Sequence, residues 1–433
     1  MIYDPVNEKM ERSDLEQLQL ERLQSVLQRV RRNVGFYKEM LSGVDIESIH
    51  SLQDIQKLPF TTKKDLVQNY PYGMFAVPLH DTVRLHSTSG TTGKPLVVGY
   101  THNDIHIWRQ LIARIYSAAG VTNHDFVQIS FHYGQSTAAM GFHYGAEKIG
   151  ASVIPSSGES IARQLMVMKD YRTSCLIGTP SYALQIANAL NTQSLSLAEL
   201  ALRVGIFGAE SWSEKTREEI ESRLGIKAFD NYGITELVGP GVSFECEERN
   251  GLHINEDHFL VEVIDPKTLS PVPPGEKGEL VFTSLTREAY PLIRYRTGDI
   301  ASLITEPCPC GRTGIKMSRL SGRTDDMIIV EGVNIFPSQI EQCIIGVSGI
   351  QPYFKIELNT LEDETETVCV QIEASADYPF LDQLSKVESL RKQLENKIQE
   401  SLGIKISVQF VEPKTMSVPD GKKYKRIIDN RKK

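Results

Sequence analysis

The chain has 433 residues, which is enough for two or three domains with a large core. Its hydrophobic content of 40% and charged content of 24% are ordinary for a globular protein, and its net charge of -8 argues against general binding to nucleic acid or an anionic membrane. The sequence has no run of about 18 apolar residues and no signal-peptide pattern, and its six cysteines are unevenly spread, so we expect a cytoplasmic protein.

The first 120 residues contain three predicted helices and one predicted strand. Ser13 and Glu16 match the capping-box pattern, and apolar residues then recur at helical spacing, so we predict one helix over residues 13–42. Three further elements follow: a helix over Lys63–Gln68, a strand over 96–100 and a helix over 104–119.

Between residues 126 and 231 strands and helices alternate. We predict strands at 126–131, 152–155, 175–178, 202–207 and 228–231, with helices at 139–149, 160–171, 181–190 and 213–223 between them. This alternation predicts an α/β fold with a mostly parallel sheet flanked by helices. In such sheets ligands bind beyond the carboxyl ends of the strands.

The remainder of the chain changes character twice. Strands at 259–265, 278–284 and 299–303, separated by Pro/Gly turns, predict a small β-subdomain spanning about 240–320 within an N-terminal domain of residues 1–322. Residues 323–433 predict an α+β C-terminal domain, with strands at 327–330, 353–358, 368–373 and 405–411 and helices at 338–345 and 386–402.

A stretch rich in glycine and hydroxyl side chains lies just before the predicted strand 96–100. It reads Ser87-Thr88-Ser89-Gly90-Thr91-Thr92-Gly93-Lys94. Glycines let the backbone approach an anion closely, while amides, hydroxyls and one ammonium supply donors, so phosphate binding and a plain solvated loop both fit the composition. The Walker A spacing is not met, because Gly90 and Gly93 are two residues apart and Pro95 follows the lysine.

Together with three later stretches and a C-terminal lysine, this loop resembles the adenylate-forming superfamily of acyl-CoA synthetases, luciferases and adenylation domains. The later stretches are Tyr232–Glu236, Tyr295–Asp299, and Gly322–Asp325 leading to Gly332. The closer resemblance is to the phenylacetate–CoA ligase family, and it is carried by Tyr133-Gly134, residues 141–150, Gly208-Ala209-Glu210, Gly239-Pro240-Gly241 and Ile427-Ile428-Asp429.

The resemblance implies an AMP-forming acid–CoA ligase that uses ATP, Mg²⁺ and coenzyme A on a small carboxylic acid, and we expect an aryl or arylacetic acid. Two alternatives stay open: an adenylating enzyme that passes the acyl group or AMP to another acceptor, and a non-catalytic adenylate-binding protein. Family members are often dimers, so a homodimer is also implied. Neither a nucleic acid nor a membrane is expected as a partner.

The resemblance also implies roles for individual residues. The Ser87–Lys94 loop would cradle the β- and γ-phosphates, Thr235 would reach the α-phosphate and Glu236 would hold Mg²⁺. The nucleoside would be contacted by Gly208, Ala209, Glu210, Asn231, Tyr232 and Gly233 around the adenine, and by Asp299 and Arg323 at the ribose. Acid-pocket residues would be Tyr133, Ala138, Ala139 and Gly141, where an Ala-Ala pair stands in place of the family's Gly-Gly.

In the C-terminal domain, which the resemblance implies is mobile, Asp325 would be the hinge and Gly332 would line the pantetheine tunnel. The catalytic lysine of adenylation would be Lys423, because the family places it three residues before an arginine, here Arg426. Lys422 is the alternative, because the family usually has glycine directly before this lysine and Gly421 precedes Lys422.

A separate motif predicts a metal site. Cys308-Pro309-Cys310 is a tight turn that presents two thiols, and Cys246 and His253 lie on one short segment upstream. Three cysteines and one histidine suit a closed, tetrahedral and therefore structural Zn²⁺ site. His258 is the competing histidine, and free thiols on a loop are the alternative to a metal.

Overall fold

The computed structural model describes residues 1–88, 95–134, 137–157, 159–192, 195–324, 328–330, 333–345, 347–360, 366–375, 384–413, 415–416 and 426–431. Eleven residues named above lie outside these ranges: Ser89, Gly90, Thr91, Thr92, Gly93, Lys94, Asp325, Gly332, Gly421, Lys422 and Lys423. The chain divides into two compact units, Met1–Glu210 with Arg223–Arg319, and Ser211–Ser222 with Leu320–Lys433. Within the described ranges no helix has the length and apolar character needed to cross a membrane.

Helices and strands are numbered here in chain order. The helices are α1 (Pro5–Glu8), α2 (Arg12–Asn33), α3 (Gly35–Met40), α4 (Lys63–Gln68), α5 (His102–Ala118), α6 (Ala138–Ile149), α7 (Ile161–Asp170), α8 (Pro180–Thr192), α9 (Glu214–Leu224), α10 (Pro337–Ile344) and α11 (Leu384–Leu402). The strands before residue 300 begin with β1 (Arg84–Ser87), β2 (Val97–Tyr100), β3 (Phe126–Ile129), β4 (Ser152–Ile154), β5 (Cys175–Gly178), β6 (Val204–Gly208), β7 (Lys227–Ile234), β8 (Gly239–Glu245), β9 (Leu252–Ile254), β10 (Phe259–Ile264), β11 (Gly278–Ser284) and β12 (Tyr295–Ala301). The later strands are β13 (Leu303–Ile304), β14 (Lys316–Met317), β15 (Gly322–Arg323), β16 (Ile328–Val330), β17 (Val333–Ile335), β18 (Ile350–Thr360), β19 (Glu366–Ala374), β20 (Ser407–Val411) and β21 (Ile427–Asp429).

A nine-stranded sheet forms the centre of the first unit, in the order β13-β14-β9-β8-β7-β6-β5-β3-β4. The half from β4 to β7 is parallel, and its central strands β5 and β6 are fully buried. The other half, β8, β9, β14 and β13, continues antiparallel. The predicted α/β class is confirmed, whereas the sequence did not predict that antiparallel strands would extend the same sheet.

Helices α5 and α6 pack tightly over this sheet because α6 carries glycines at the contact. An ideal Cβ placed on Gly141 would lie 2.5 Å from Cζ2 of Trp108, and one on Gly145 would lie 2.3 Å from Cγ2 of Ile112. Trp108 in turn donates from Nε1 to the carbonyl of Pro240 at 2.8 Å. These close approaches bring the start of α6 next to the β7–β8 turn.

Strands β10, β11 and β12 form part of a separate antiparallel sheet, and the predicted β-subdomain of about 240–320 stays a prediction. In the second unit β18 pairs with β19 antiparallel, and β20 and β21 add in parallel on either side, in the order β20-β19-β18-β21. Its core combines apolar residues of this sheet with the inner faces of α10 and α11.

The prediction of one helix over 13–42 was wrong. The chain forms α2 and α3, which are separated at Val34, a residue in extended conformation (φ -113°, ψ 112°). The predicted capping box is absent as well, because α2 starts earlier, after Glu11. Val34 is a β-branched residue followed by Gly35, and both residues favour non-helical backbone, so the break has a local cause.

Candidate functional site

Strands β1 and β2, which flank the glycine-rich stretch in the sequence, pair antiparallel. Ser87 of β1 is opposite Val97 of β2, and the backbone N–H of Thr88 donates to the carbonyl of Leu96 at 3.0 Å. The Thr88 hydroxyl accepts the N–H of Leu96 at 3.0 Å. Both ends of the loop are therefore held in register, and Leu96 leads into the predicted strand; residues 89–94 themselves lie outside the described part of the chain.

The carboxyl ends of β6 and β7 are locked side by side. Gly208 is opposite Asn231, and an ideal Cβ on Gly208 would lie 2.6 Å from the Asn231 carbonyl oxygen. The Asn231 amide donates to the carbonyl of Phe207 at 2.7 Å. A side chain larger than hydrogen at 208 would force these strands apart, so close packing explains the glycine of the Gly-Ala-Glu sequence.

Beyond Gly208 the backbone turns sharply. Ala209 has a positive φ of 66°, a conformation that non-glycine residues rarely adopt and that recurs at functional sites. The Glu210 carboxylate accepts both the N–H of Ser181, at 3.3 Å, and its hydroxyl, at 2.9 Å, at the start of α8. Glu210 thus caps a neighbouring helix. The contact of Gly208, Ala209 and Glu210 with adenine stays a prediction.

Tyr232 and Asp299, predicted from separate motifs, are in direct contact. The Tyr232 hydroxyl donates to Oδ2 of Asp299 at 2.7 Å, and the Asp299 N–H donates to the Thr297 hydroxyl at 3.0 Å. Asp299 is only 2% exposed, and the Tyr232 ring stacks on Phe282 with centroids 6.1 Å apart. The buried carboxylate of Asp299 is thereby held by the Tyr232 hydroxyl near the carboxyl end of β7.

The turn between β7 and β8 contains Thr235 and Glu236. Gly233 allows the turn, since an ideal Cβ there would lie 2.0 Å from the carbonyl oxygen of Gly239. The Thr235 hydroxyl lies 3.3 Å from that of Thr137, the residue that precedes α6. Sequence reasoning missed Thr137, although a hydroxyl residue two positions before the predicted helix 139–149 was a signal for it.

Glu236 is buried, at 9% exposure, and its carboxylate contributes to the raised pKa of two tyrosines. Burial raises the pKa of Tyr100, and the Glu236 carboxylate raises it further. The pKa of Tyr290 is raised in the same way, by burial first, with Glu236 as a smaller cause. A carboxylate at a strand end inside a largely buried setting is suited to binding a divalent cation.

The predicted acid-pocket residues lie at the start of α6 and just before it. Ala138 begins the helix, Ala139 is fully buried, and Gly141 lies against Trp108. The Tyr133 hydroxyl is 3.0 Å from Nδ1 of His143, whose Nε2 is 3.3 Å from the Glu147 carboxylate. Burial raises the pKa of Tyr133, and Glu147 adds to the effect, so the phenol stays protonated and can act as a hydrogen-bond donor.

Arg323 lies in β15 of the second unit. Its proposed contact to the ribose, like the hinge role of Asp325, the tunnel role of Gly332 and the lysine of adenylation, stays a prediction.

The four predicted metal ligands come together. Potential ligand atoms of Cys246, His253, Cys308 and Cys310 all lie within 4.8 Å of one another. The Sγ atoms of Cys246 and Cys308 are 3.6 Å apart, and Sγ of Cys310 is 3.4 Å from Nε2 of His253. The competing histidine, His258, lies elsewhere: its ring contacts Thr286 at 2.8 Å and Asp257 at 3.1 Å.

Electrostatics within this cysteine cluster favour a thiolate. The pKa of Cys310 is strongly lowered, chiefly by its hydrogen bond with Cys246 and further by His253 and Arg312. All six cysteines are free thiols in the structure. Two or more sulfurs and an imidazole nitrogen arranged around one centre are the donor set that zinc prefers.

Family models match most of the chain. The model described as AMP-binding enzyme matches residues 17–286, and the model described as AMP-binding enzyme C-terminal domain matches residues 332–431. Among curated proteins, a phenylacetate-coenzyme A ligase of Thermus thermophilus is 40% identical over 100% of both chains. The enzyme of the same name from Pseudomonas putida is 43% identical over 94% of this chain and 92% of its own length.

Solved structures of 2-hydroxyisobutyryl-CoA ligase are similar over nearly the full chain. One, in the postadenylation state with an acyl-AMP, has a TM-score of 0.90 at 26% identity and covers 98% of this chain and 92% of the other. Another, with 2-HIB-AMP and CoA in the thioesterification state, has a TM-score of 0.73 at 27% identity, with coverage of 99% and 92%.

Proposed function

The chain belongs to the phenylacetate–CoA ligase family of AMP-binding enzymes, and we propose that the acid it activates is an aryl or arylacetic acid. It is an ATP-dependent, AMP-forming acid–CoA ligase. In such an enzyme the substrate carboxylate attacks the α-phosphorus of ATP and expels pyrophosphate. The CoA thiolate then attacks the acyl carbon, and AMP leaves.

The proposed nucleotide-binding roles rest on one observation, which is the hydrogen bond between Tyr232 and Asp299 near the carboxyl end of β7. Asp299 has two carboxylate oxygens, of which Oδ2 already accepts from Tyr232, and a buried carboxylate binds vicinal hydroxyls such as those of a ribose well. Gly208, Ala209 and Asn231 lie at the neighbouring strand ends and present backbone edges suited to an adenine. This arrangement supports a nucleoside at the edge of the sheet.

Thr235, Thr137 and Glu236 would serve the phosphates. Two hydroxyls 3.3 Å apart can donate to an α-phosphate oxygen, and Glu236 would hold Mg²⁺, which neutralises charge developing on the phosphates when bound. Thr137 joins the proposed set because of its contact with Thr235. The Ser87–Lys94 loop would bind the β- and γ-phosphates.

Lys423 would stabilise the α-phosphoryl transition state, so its charge is needed for adenylation alone. Lys423→Ala is expected to abolish acid-dependent ATP–pyrophosphate exchange while leaving CoA thiolysis of supplied acyl-AMP intact. Lys422→Ala is the matched control with the same loss of charge. Loss of exchange in Lys422→Ala with retention in Lys423→Ala would move the role to Lys422.

The acid is proposed to be no larger than a single-ring aryl or arylacetic acid. Ala138 and Ala139 replace two glycines of the family pattern, and Ala139 is fully buried at the start of α6, so two methyl groups narrow this region. Tyr133, held by His143, adds a hydrogen-bond donor. A short branched acid is the second candidate, because the 2-hydroxyisobutyryl-CoA ligases are similar over nearly the full chain.

A panel of acids in the exchange assay distinguishes these candidates. Phenylacetate, benzoate and 2-hydroxyisobutyrate are compared by kcat/KM in the wild type and in Ala138→Gly/Ala139→Gly. We expect an aryl acid to be preferred, and the double variant to shift preference toward phenylacetate by about tenfold or more, because one methyl or methylene group in a pocket is worth about 1–3 kcal/mol. Preference for the branched acid in both proteins would overturn the aryl proposal.

The ratio of AMP released to acyl-CoA formed distinguishes transfer of the acyl group to CoA from transfer to another acceptor. AMP release should require CoA and match acyl-CoA formed, one for one. A cytoplasmic location, where ATP and CoA are available, and a homodimer remain predictions; light scattering of the purified chain tests the second.

We propose finally that the cysteine cluster binds Zn²⁺ as a structural ion. Four protein ligands close a tetrahedral site and leave no position for substrate, so this ion would hold the chain together and take no part in the reaction. Zinc at one equivalent per chain in protein purified without chelators is expected, and protein free of metal that also fails to bind added Zn²⁺ or Co²⁺ would refute the site.

A further inference from the structure

Two buried aromatic side chains, Tyr100 and Trp108, hold the turn between β7 and β8. Tyr100 ends β2, the strand that follows the glycine-rich stretch, and its hydroxyl donates to the carbonyl of Val238 at 2.9 Å. Trp108 lies in α5 and donates from Nε1 to the carbonyl of Pro240 at 2.8 Å. Both side chains are fully buried. Two hydrogen bonds from outside the turn therefore fix the residues just beyond Glu236.

The two donors belong to one stack of side chains. The Tyr100 and Trp108 rings are stacked with centroids 5.0 Å apart and an interplanar angle of 18°. Cζ of Arg287 lies 4.1 Å from the centroid of the Tyr100 ring, and its Nη2 donates to the carbonyl of Gly99 at 2.8 Å. Arg287 is only 4% exposed, and a cation over an aromatic face interacts most strongly when it is desolvated. The stack therefore holds the end of β2 and both donors in a fixed arrangement.

Close packing limits movement of the turn on its other side. Gly239, the first residue of β8, has a φ of +91°, and an ideal Cβ there would lie 2.7 Å from Cβ of Thr137 and 3.0 Å from Cζ2 of Trp108. Thr137 is also the residue whose hydroxyl lies 3.3 Å from that of Thr235. The chain at Gly239 is thus confined between the indole and the residue that precedes α6, so a displacement of the indole would be passed to the turn.

The Tyr100 hydroxyl acts as a donor beside the carboxylate of Glu236. Burial raises the pKa of Tyr100, and the Glu236 carboxylate raises it further, so the phenol keeps the proton that it donates to Val238. Val238 follows Glu236 by two residues, which makes this hydrogen bond a direct restraint on the backbone that carries the carboxylate. Groups that orient a metal-binding side chain affect metal affinity almost as strongly as the ligands do.

We infer that Tyr100 and Trp108 are positioning residues for adenylation. They fix the Thr235–Glu236 turn relative to β2, so that the carboxylate that would hold Mg²⁺ and the loop that would bind the β- and γ-phosphates act on the same triphosphate. Neither aromatic side chain contacts the nucleotide in this account. The inference rests on the proposed roles of Glu236 and of the Ser87–Lys94 loop. Side chains that merely filled the core would affect stability and leave the metal dependence of the reaction unchanged.

The test measures how acid-dependent ATP–pyrophosphate exchange by the full chain depends on Mg²⁺. Tyr100→Phe removes the hydroxyl and keeps the ring. The Mg²⁺ concentration for half-maximal exchange is expected to rise by about 10-fold or more, because partners of metal ligands typically change metal affinity or activity by 10- to 100-fold. Saturating Mg²⁺ should restore most of the exchange rate. CoA thiolysis of supplied acyl-AMP, which begins after pyrophosphate has left, should stay unchanged.

Tyr116→Phe is the matched control. Tyr116 lies in α5, is also fully buried, and donates from its hydroxyl to a backbone carbonyl, that of Phe142, at 3.0 Å. This variant should lower the melting temperature about as much as Tyr100→Phe and leave the Mg²⁺ dependence unchanged. Trp108→Phe, which removes the donor to Pro240 and keeps an aromatic ring, should shift the Mg²⁺ dependence in the same direction as Tyr100→Phe, and it serves alone if Tyr100→Phe does not fold.

Glu236→Gln separates failure of the inference from failure of the proposed function. If Glu236→Gln changes the Mg²⁺ dependence but Tyr100→Phe and Trp108→Phe do not, the inference is overturned and the role of Glu236 stands. An equal shift in Tyr116→Phe also overturns the inference, because the effect would then follow any lost buried hydrogen bond. If Glu236→Gln leaves the Mg²⁺ dependence unchanged, Glu236 is not the metal-binding carboxylate, and the inference is overturned with that role.

Discussion

The two halves of the nine-stranded sheet carry two different kinds of site. In the parallel half, side chains at the carboxyl ends of strands pair with neighbours, as Tyr232 does with Asp299 and Asn231 with the Phe207 carbonyl. In the antiparallel half, the ligand atoms of the cysteine cluster converge on one another instead. This difference agrees with our two proposals, in which the first half binds the nucleotide and the second binds a structural metal ion.

The physical reason is strand direction. Parallel strands expose all their carboxyl ends at one edge, where loops of different origin can surround a ligand. Antiparallel strands place successive chain segments side by side, so Cys246, His253 and the 305–315 loop can approach each other across short connections. Four variants test this division, and the expected effects decrease from the first to the last.

Asp299→Ala should damage activity most. A carboxylate hydrogen bond is worth about 1.5–3 kcal/mol, so the loss of two bonds to ribose hydroxyls predicts a fall in kcat/KM for ATP of about 10² to 10⁴-fold. Tyr232→Phe, which removes one donor to Asp299 and keeps the carboxylate, is the control and should lose about tenfold or less. Equal losses in both variants would show that Asp299 acts through Tyr232 and not on the nucleotide.

Cys308→Ser should have the opposite profile, with a loss of stability and little loss of activity. Removing one ligand from a closed metal site is expected to lower the free energy of unfolding by about 3 kcal/mol and the melting temperature by about 5–10 °C. The rate of pyrophosphate exchange at 25 °C should stay within about twofold. Cys175→Ser, at a buried cysteine outside the cluster, should leave the metal content unchanged.

Gly251→Ala tests the turn that joins the two upstream ligands. Gly251 has a φ of +89°, and an ideal Cβ there would lie 2.8 Å from the carbonyl oxygen of Met317. Strain of this kind costs about 1–3 kcal/mol, so unfolding free energy should fall by that amount and metal affinity should fall with it. Gly275→Ala, at a similar φ of +89° but with open space around it, separates backbone strain from the clash.

Tyr133→Phe should have the smallest effect. It removes the hydroxyl that contacts His143, a bond worth about 0.5–1.5 kcal/mol, so KM for the acid should rise by about tenfold or less while KM for ATP stays unchanged. His143→Gln, which keeps a hydrogen-bonding side chain beside the Tyr133 hydroxyl, should lose less than Tyr133→Phe if orientation of the phenol matters. A rise in KM for ATP would place Tyr133 outside the acid pocket.

The sequence by itself determined the α/β class, the family and the cysteine cluster. Alternating apolar strands and helices depend on local periodicity, and motifs such as Tyr232–Glu236 and Cys308-Pro309-Cys310 are contiguous, so both are visible in a linear reading. The break at Val34, between α2 and α3, was not predicted, because helical spacing of apolar residues continued across it.

Only the tertiary structure decided which distant residues meet. The contact of Thr137 with Thr235, the choice of His253 over His258, and the contact of Tyr232 with Asp299 all depend on strand register and helix packing between segments far apart in the chain. Periodicity assigns a residue to a face but gives no partner strand. Register is set by the packing of whole elements, so these pairings required the folded chain.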